Sequence, residues 1–184
     1  MPRQLHLFDP PERFVAGTVG QPGDRTFYLQ ATGAGRTISV ALEKVQVQVL
    51  AERLEELLET VRRSTDAEVP PVPIRTLEDT APLDAPVEEE FRVGSMGLAW
   101  EADSERCIIE ALAQAEGGAE EVEPLSDVDE GPDALRVRVT GAQATAFIAR
   151  ALRVVAAGRP PCPLCSLPLD PEGHICPRQN GHRR

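Results

Sequence analysis

The sequence predicts an α+β protein built from a duplicated β-β-β-α unit, with antiparallel sheet or sheets packed by two helices and a small zinc-ribbon-like module at the C-terminus. Three observations support this fold class. Short segments with strand-like alternation are separated by turns rich in glycine and proline. Two segments with a helical apolar period each follow such a strand directly. Three of the four cysteines and two of the three histidines lie within residues 162–184.

The first unit is predicted to occupy residues 1–63. Segments 13–20, 25–33 and 37–43 have strand character, and the tight-turn sequences QPGD and GAGR separate them. Segment 44–63 follows with a helical apolar period, and charged residues fill its opposite face. The apolar positions of this helix are Val47, Leu50, Leu54, Leu57, Leu58 and Val61.

Residues 64–87 are rich in proline and have no apolar period, so they are predicted to form a linker or an extended arm lying on the domain. The second unit is expected at 88–158, with strands at 91–97 and 106–114 and an acidic loop at 115–133.

Segment 134–158 supports a duplication because it overlays segment 37–61 without a gap. Apolar residues then coincide with a period of two in the strand part and a helical period in the helix part. Neither unit has enough apolar side chains to cover both a helix and a sheet face. We therefore expect the two units to share one core with a pseudo-two-fold relation.

The net charge of −11 is distributed unevenly along the chain. Residues 1–63 have no net charge, residues 64–133 carry −17, and residues 134–184 carry +6. The acidic centre argues against broad nucleic-acid affinity. The basic C-terminus could contact an anion, or it could offset the charge of a thiolate-rich metal site and the acidic centre.

The spacing of the C-terminal cysteines and histidines predicts a metal site. Cys162 and Cys165 have the C-x₂-C spacing that lets one tight turn direct two thiolates at one ion, and His174 and Cys176 lie two residues apart beyond a turn. Three sulfur ligands and one imidazole form a closed tetrahedral set typical of structural Zn²⁺. His182 is an alternative fourth ligand in place of His174.

No catalytic motif was found in the sequence. A phosphate-binding glycine-rich loop and a nucleophile elbow are both missing. His6 is expected at the surface, Cys107 is expected to be a buried small apolar residue, and Glu110 has no second acid placed to form a catalytic pair.

The compartment expected from these features is the cytoplasm. No apolar run is long enough to cross a membrane, and residues 1–14 lack the pattern of a secretion signal. The clustered cysteines favour a reducing environment over a disulfide framework.

Three segments carry a resemblance to a known family: FDPPERFVAGTVGQPG near the N-terminus, the repeat with its helices, and CPLCSLPLDPEGHICPRQNGHRR at the C-terminus. Over nearly its whole length the chain resembles an actinobacterial family of unknown function, catalogued as domain-of-unknown-function 3090 and described as a repeat protein. The resemblance implies a cytoplasmic protein of a high-GC Gram-positive bacterium and implies no reaction.

Three functions remain open at this point. The first is a non-enzymatic zinc-binding protein that acts as an interaction scaffold or adaptor for an unknown protein partner. The second is a nucleic-acid or nucleotide-binding protein that uses the basic zinc-bearing C-terminus. The third is a metalloenzyme with an open zinc position. The oligomeric state does not follow from the sequence.

Overall fold

The structure is a computed structural model that describes residues 2–117, 122–169 and 173–179. Its regular elements alternate runs of strands with single helices. In chain order they are β1 (Leu5–Phe8), β2 (Arg13–Gln21), β3 (Asp24–Gly33), β4 (Arg36–Leu42), α1 (Lys44–Ser64), β5 (Glu89–Glu101), β6 (Arg106–Ala113), β7 (Ala134–Thr140) and α2 (Gly141–Ala156), with single 3₁₀ turns at Arg75–Leu77 and Pro177–Gln179.

All seven strands form one sheet in the order β1-β7-β6-β5-β4-β3-β2. Strands β2 to β4 are antiparallel to one another, and so are β5 to β7. Strand β5 is parallel to β4, and β1 is parallel to β7. The sheet is therefore mixed, and the prediction of a purely antiparallel sheet or sheets was wrong in this respect.

The parallel contact between β4 and β5 has a simple cause. Helix α1 begins directly after β4 and carries the chain back, so that β5 starts beside β4 and runs in the same direction. The two groups of three strands consequently follow each other head to tail across the sheet. The expected pseudo-two-fold relation would have brought the same strand of each group together at the centre of the sheet. At the centre, β4, the last strand of one group, lies beside β5, the first strand of the other, so the strand order excludes that relation.

Both helices pack on one another and on one face of the sheet. The apolar stripe of α1 includes Val47, Leu50, Leu54 and Leu58, all at most 2% exposed. They share the core with alternate residues of the strands, among them Leu29, Ile109 and Val137, and with apolar residues of α2 such as Phe147. The rings of Phe14 on β2 and Phe147 on α2 stack with centroids 4.5 Å apart.

The start of α2 is set by a capping box. The Gln143 backbone N–H donates to Thr140 Oγ1 at 3.1 Å, and the Thr140 N–H donates to Gln143 Oε1 at 2.9 Å. These bonds satisfy two of the N–H groups that a helix N-terminus leaves without intrahelical partners.

Residues 64–87 lie against the body of the protein. Pro70 accepts hydrogen bonds from Thr145 and Arg62, and Asp79 pairs with Arg13 and Arg150. Leu83 fits over Gly17, where an added Cβ would come within 2.5 Å of the leucine side chain. Glycine at position 17 therefore lets this segment approach β2 closely.

Glu110 is fully buried on β6, on the face that does not carry the helices. Its carboxylate accepts from Arg3 at 2.7 Å, from the Leu125 N–H at 2.9 Å and from Arg136. This buried charge cluster attaches the N-terminus and the segment around Leu125 to the sheet.

The expectation that His6 lies at the surface was wrong, because the side chain is 3% exposed. His6 lies on β1 opposite Leu135 of β7, and its Nε2 atom is 3.6 Å from Glu90 Oε1. Strand β1 has only four residues and was not predicted from the sequence, and neither was the burial of every second residue in it. Cys107 is buried as expected, with 0% exposure.

Among the described residues, no helix combines the length and the apolar character needed to cross a membrane.

Candidate metal centre

The C-x₂-C segment forms a tight turn held by backbone hydrogen bonds. The Ser166 N–H donates to the Cys162 carbonyl and the Cys162 N–H donates to the Leu167 carbonyl, both at 2.8 Å. A third bond of 2.8 Å runs from the Leu169 N–H to the Pro160 carbonyl. This local geometry places the side chains of Cys162 and Cys165 on one side of the turn.

The second pair of candidate ligands follows Gly173. This glycine has φ +84°, a left-handed conformation that other residues rarely adopt. It directs the chain so that His174 and Cys176 face the turn formed by the first pair.

The four side chains Cys162, Cys165, His174 and Cys176 converge, with their ligand atoms all within 4.8 Å of one another. The Sγ atoms of Cys162 and Cys176 are 3.9 Å apart, and Cys165 Sγ is 3.2 Å from His174 Nε2. A tetrahedral Zn²⁺ with zinc–sulfur bonds of about 2.3 Å requires sulfur–sulfur separations of about 3.8 Å. The four residues could therefore hold a metal ion, and the donor set is consistent with zinc.

The four candidate ligands differ in their exposure to solvent. Cys162 and Cys176 are at most 1% exposed, and Cys165 and His174 are half-buried. The imidazole directs Nε2 at Cys165 Sγ, while Nδ1 is buried and has no hydrogen-bond partner among the described residues. His182, the alternative fourth ligand, lies outside the described residues.

The thiols of the cluster differ in acidity. Desolvation disfavours the Cys162 thiolate, but hydrogen bonds from the backbone N–H groups of Cys165 and Leu164 outweigh it and lower the pKa of Cys162 to about 7. Desolvation raises the pKa of Cys165, and the neighbouring sulfurs of Cys176 and Cys162 add to that increase. A divalent cation would stabilise all of these thiolates by direct coordination.

A basic cavity lies beside the metal cluster, at the C-terminus of α2. It has a volume of about 350 Å³, and Arg25, Lys44, Arg92 and Arg159 contribute to its lining together with Glu43. Arg25 donates to the carbonyls of Ala157 at 3.0 Å and Val154 at 3.3 Å, so part of this positive charge stabilises the end of α2. These cations come from four separate parts of the chain, and no sequence pattern predicts their convergence.

A sequence model of one protein family matches residues 6–176 of this chain. The chain belongs to that family. Its description is "Protein of unknown function (DUF3090)", and the matched range ends at Cys176, so it includes all four residues of the cluster. No match was found among curated proteins or among solved structures. The family membership expected from the sequence is thereby confirmed, and it adds no reaction.

Proposed function

We propose that this protein is a non-enzymatic zinc-binding protein in which Zn²⁺ has a structural role and the α+β body acts as an interaction scaffold. The convergence of four ligand atoms within 4.8 Å is the observation that carries the metal part of the proposal. A catalytic zinc usually has three protein ligands and keeps one position for water. Here four protein ligands complete the tetrahedron.

The proposed role of the metal is to order residues 159–179. Within its described residues, 159–169 and 173–179, the regular structure consists of the hydrogen-bonded turn at 160–169 and the 3₁₀ turn at Pro177–Gln179. The two pairs of candidate ligands meet at the cluster, where all four ligand atoms lie within 4.8 Å of one another. Binding energy at such a site is folding energy for the segment that supplies the ligands.

Cobalt substitution tests whether the site is closed. Co²⁺ bound by three thiolates and one imidazole in a tetrahedron should give strong d–d absorption and sulfur-to-cobalt charge-transfer bands. Adding cyanide or azide, which displaces a bound water, should leave this spectrum unchanged. A spectrum that shifts with these anions would indicate an open position and would support the metalloenzyme instead.

The scaffold role is proposed for the body of the protein, residues 2–158. We infer that its two groups of three strands and one helix arose by duplication. Element bounds support this, since β4 and α1 begin at Arg36 and Lys44 while β7 and α2 begin at Ala134 and Gly141. The ungapped overlay of 37–61 on 134–158 superposes these element starts to within one residue.

A second candidate function, binding of a nucleic acid or nucleotide, is favoured by the basic cavity beside the cluster. Contacts to phosphate would make binding weaken as salt increases. Labelled DNA and RNA whose mobility in a gel is unchanged at low salt would exclude this function. If binding occurs, Lys44→Ala should weaken it, because Lys44 is one of the basic residues lining the cavity.

A further inference from the structure

The basic cavity lies where the start of one helix meets the end of the other. Helix α1 begins at Lys44, α2 ends two residues before Gly158, and both residues line the cavity. The Lys44 Nζ atom is 3.3 Å from the position that a Cβ on Gly158 would occupy, and Arg25 Nη2 is 3.6 Å from it. Two cationic groups from different segments therefore approach each other at the end of α2.

The cations of this cavity exceed the acids that could neutralise them. Glu43 is the one acidic residue of the lining that the structure describes, and its Oε1 atom already pairs with Arg92 at 3.2 Å. Arg25 donates to main-chain carbonyls of α2 and lies over the ring of Phe27, neither of which carries a full negative charge. Within the described part of the chain, neither Arg25 nor Lys44 forms an ion pair. A bound anion would relieve the repulsion between them.

The opposite end of the helix pair is covered. There Gly141, at the start of α2, lies so close to Val69 that an added Cβ would come within 2.8 Å of that side chain. Arg62, near the end of α1, donates to the carbonyls of Val69 at 3.1 Å and Pro70 at 3.3 Å. The segment after α1 thus closes this end, whereas the end with the surplus of cations has a cavity of about 350 Å³.

The segment that carries the metal cluster supplies one wall of the cavity. Arg159 and Pro168 belong to the lining. The Arg159 Nε atom is 3.5 Å from the position of a Cβ on Gly23, in the turn between β2 and β3, so this arginine lies against the body of the protein. Because the proposed Zn²⁺ orders residues 159–179, it would also fix this wall.

The charge and size of the cavity suit a phosphate group on a small molecule. A phosphate monoester carries nearly two negative charges near neutral pH and has three acceptor oxygens, which can accept from several cations at once. A volume of about 350 Å³ lies within the range of small-molecule sites. Such a ligand responds mainly to charges within about 8 Å at physiological salt. A nucleic acid would extend further over a protein whose net charge of −11 repels it.

We propose that the basic cavity binds a phosphate group of a small ligand, held by Arg25 and Lys44 of the body and by Arg159 beside the metal cluster. The inference narrows the second candidate function to a small phosphate-bearing molecule. It rests on the metal part of the proposed function only for the ordering of the wall that contains Arg159.

A titration followed by NMR of the ¹⁵N-labelled full-length chain, loaded with zinc and freed of excess Zn²⁺, tests this inference. The probes are inorganic phosphate and glycerol 3-phosphate near neutral pH, and sodium chloride at equal ionic strength gives the effect of salt alone. A short RNA without a terminal phosphate represents nucleic acid. Two charge reversals on α1 are compared: Lys44→Glu in the cavity, and Arg53→Glu outside it, where the arginine side chain is 70% exposed. Zinc content is recorded for each sample.

We expect both phosphate probes to cause saturable shifts of amide signals around the cavity, at Gly23, Arg25, Lys44 and Gly158. Lys44→Glu should weaken binding at least about tenfold, because it removes a charge-assisted contact and adds a repelling charge. The new acid lies in the first turn of α1, where the helix dipole favours it, so the fold should be retained. Arg53→Glu makes the same change in net charge and should alter the affinity less than about twofold, since solvent screens an exposed charge outside the cavity.

Three results would overturn the inference. They are shifts no larger than those caused by sodium chloride, equal affinity of the Lys44→Glu variant, and RNA that shifts the same amides at lower concentration than glycerol 3-phosphate, which would assign the cavity to a nucleic acid. Failure to bind phosphate with zinc retained would leave the metal proposal intact. Phosphate binding by a chain that holds no zinc would refute the metal proposal alone.

Discussion

The buried carboxylate of Glu110 offers a sharp test of the packing described above. In Glu110→Gln the shape of the side chain is kept, but one oxygen becomes an NH₂ group that faces a guanidinium. The carboxylate accepts from Arg3, Arg136 and the Leu125 N–H, and its side chain is 0% exposed. At least one charge-assisted hydrogen bond, worth about 1.5–3 kcal/mol, is lost. Two cations also remain near each other without their buried counter-charge.

Removal of one partner from a buried ion pair costs about 3–5 kcal/mol, and we expect Glu110→Gln to lower the free energy of unfolding by that amount. The measurement is urea-induced unfolding followed by circular dichroism, in buffer that contains zinc. Glu56→Gln is the matched control, because Glu56 and its partner Arg53 are 66% and 70% exposed. An exposed pair of this kind contributes about 0.5 kcal/mol or less. Equal effects of the two substitutions would refute the assignment of Glu110 as a buried structural charge.

Three further predictions concern stability. Leu54→Ala should lower the free energy of unfolding by about 2–5 kcal/mol in the same urea assay, because Leu54 is 0% exposed in the core; a loss below about 1 kcal/mol would contradict its position there. Thr140→Ala should cost about 1 kcal/mol by removing the cap of α2, whereas Thr140→Ser should cost little. Burial raises the pKa of the Cys107 thiol from 9.0 to about 12, so the folded protein retains a proton that the unfolded chain releases between these pH values. The free energy of unfolding should therefore fall by up to about 1.4 kcal/mol per pH unit above pH 9. This fall should be smaller in Cys107→Ala, and a variant whose stability depends on pH in the same way as that of the wild-type protein would contradict the prediction.

The two helices and six of the seven strands follow from local sequence signals. A long apolar period such as that of α1 reports burial of one helix face, and it depends only on residues close in sequence. The strand predicted at 106–114 is present as β6, Arg106–Ala113.

The sheet order could not be derived in the same way. It depends on where β5 lies after α1 and the long segment 64–87, and that choice is made by contacts between distant residues. The parallel pairing of β1 with β7 joins the two ends of the body, and β1 has only four residues. A buried histidine within so short a strand leaves no clear alternation to detect.

The candidate metal centre was predictable because its ligands lie close together in sequence. Cys162, Cys165, His174 and Cys176 span only a short segment, and the spacing within each pair reflects local turn geometry. The basic cavity is assembled from distant segments instead. For that reason the sequence indicates the chemistry of the C-terminus more directly than the surfaces around it.

The metal content of the purified protein is the most direct test of the central claim. Comparison of native and denaturing mass spectra should show one zinc atom per chain, and acidification should release it because the ligands must be deprotonated to bind. Cys165→Ser should abolish binding, whereas Cys107→Ser, the same chemical change at a cysteine outside the cluster, should retain the ion. A protein that carries no transition metal, and takes up none when Zn²⁺ is supplied under reducing conditions, would contradict the claim.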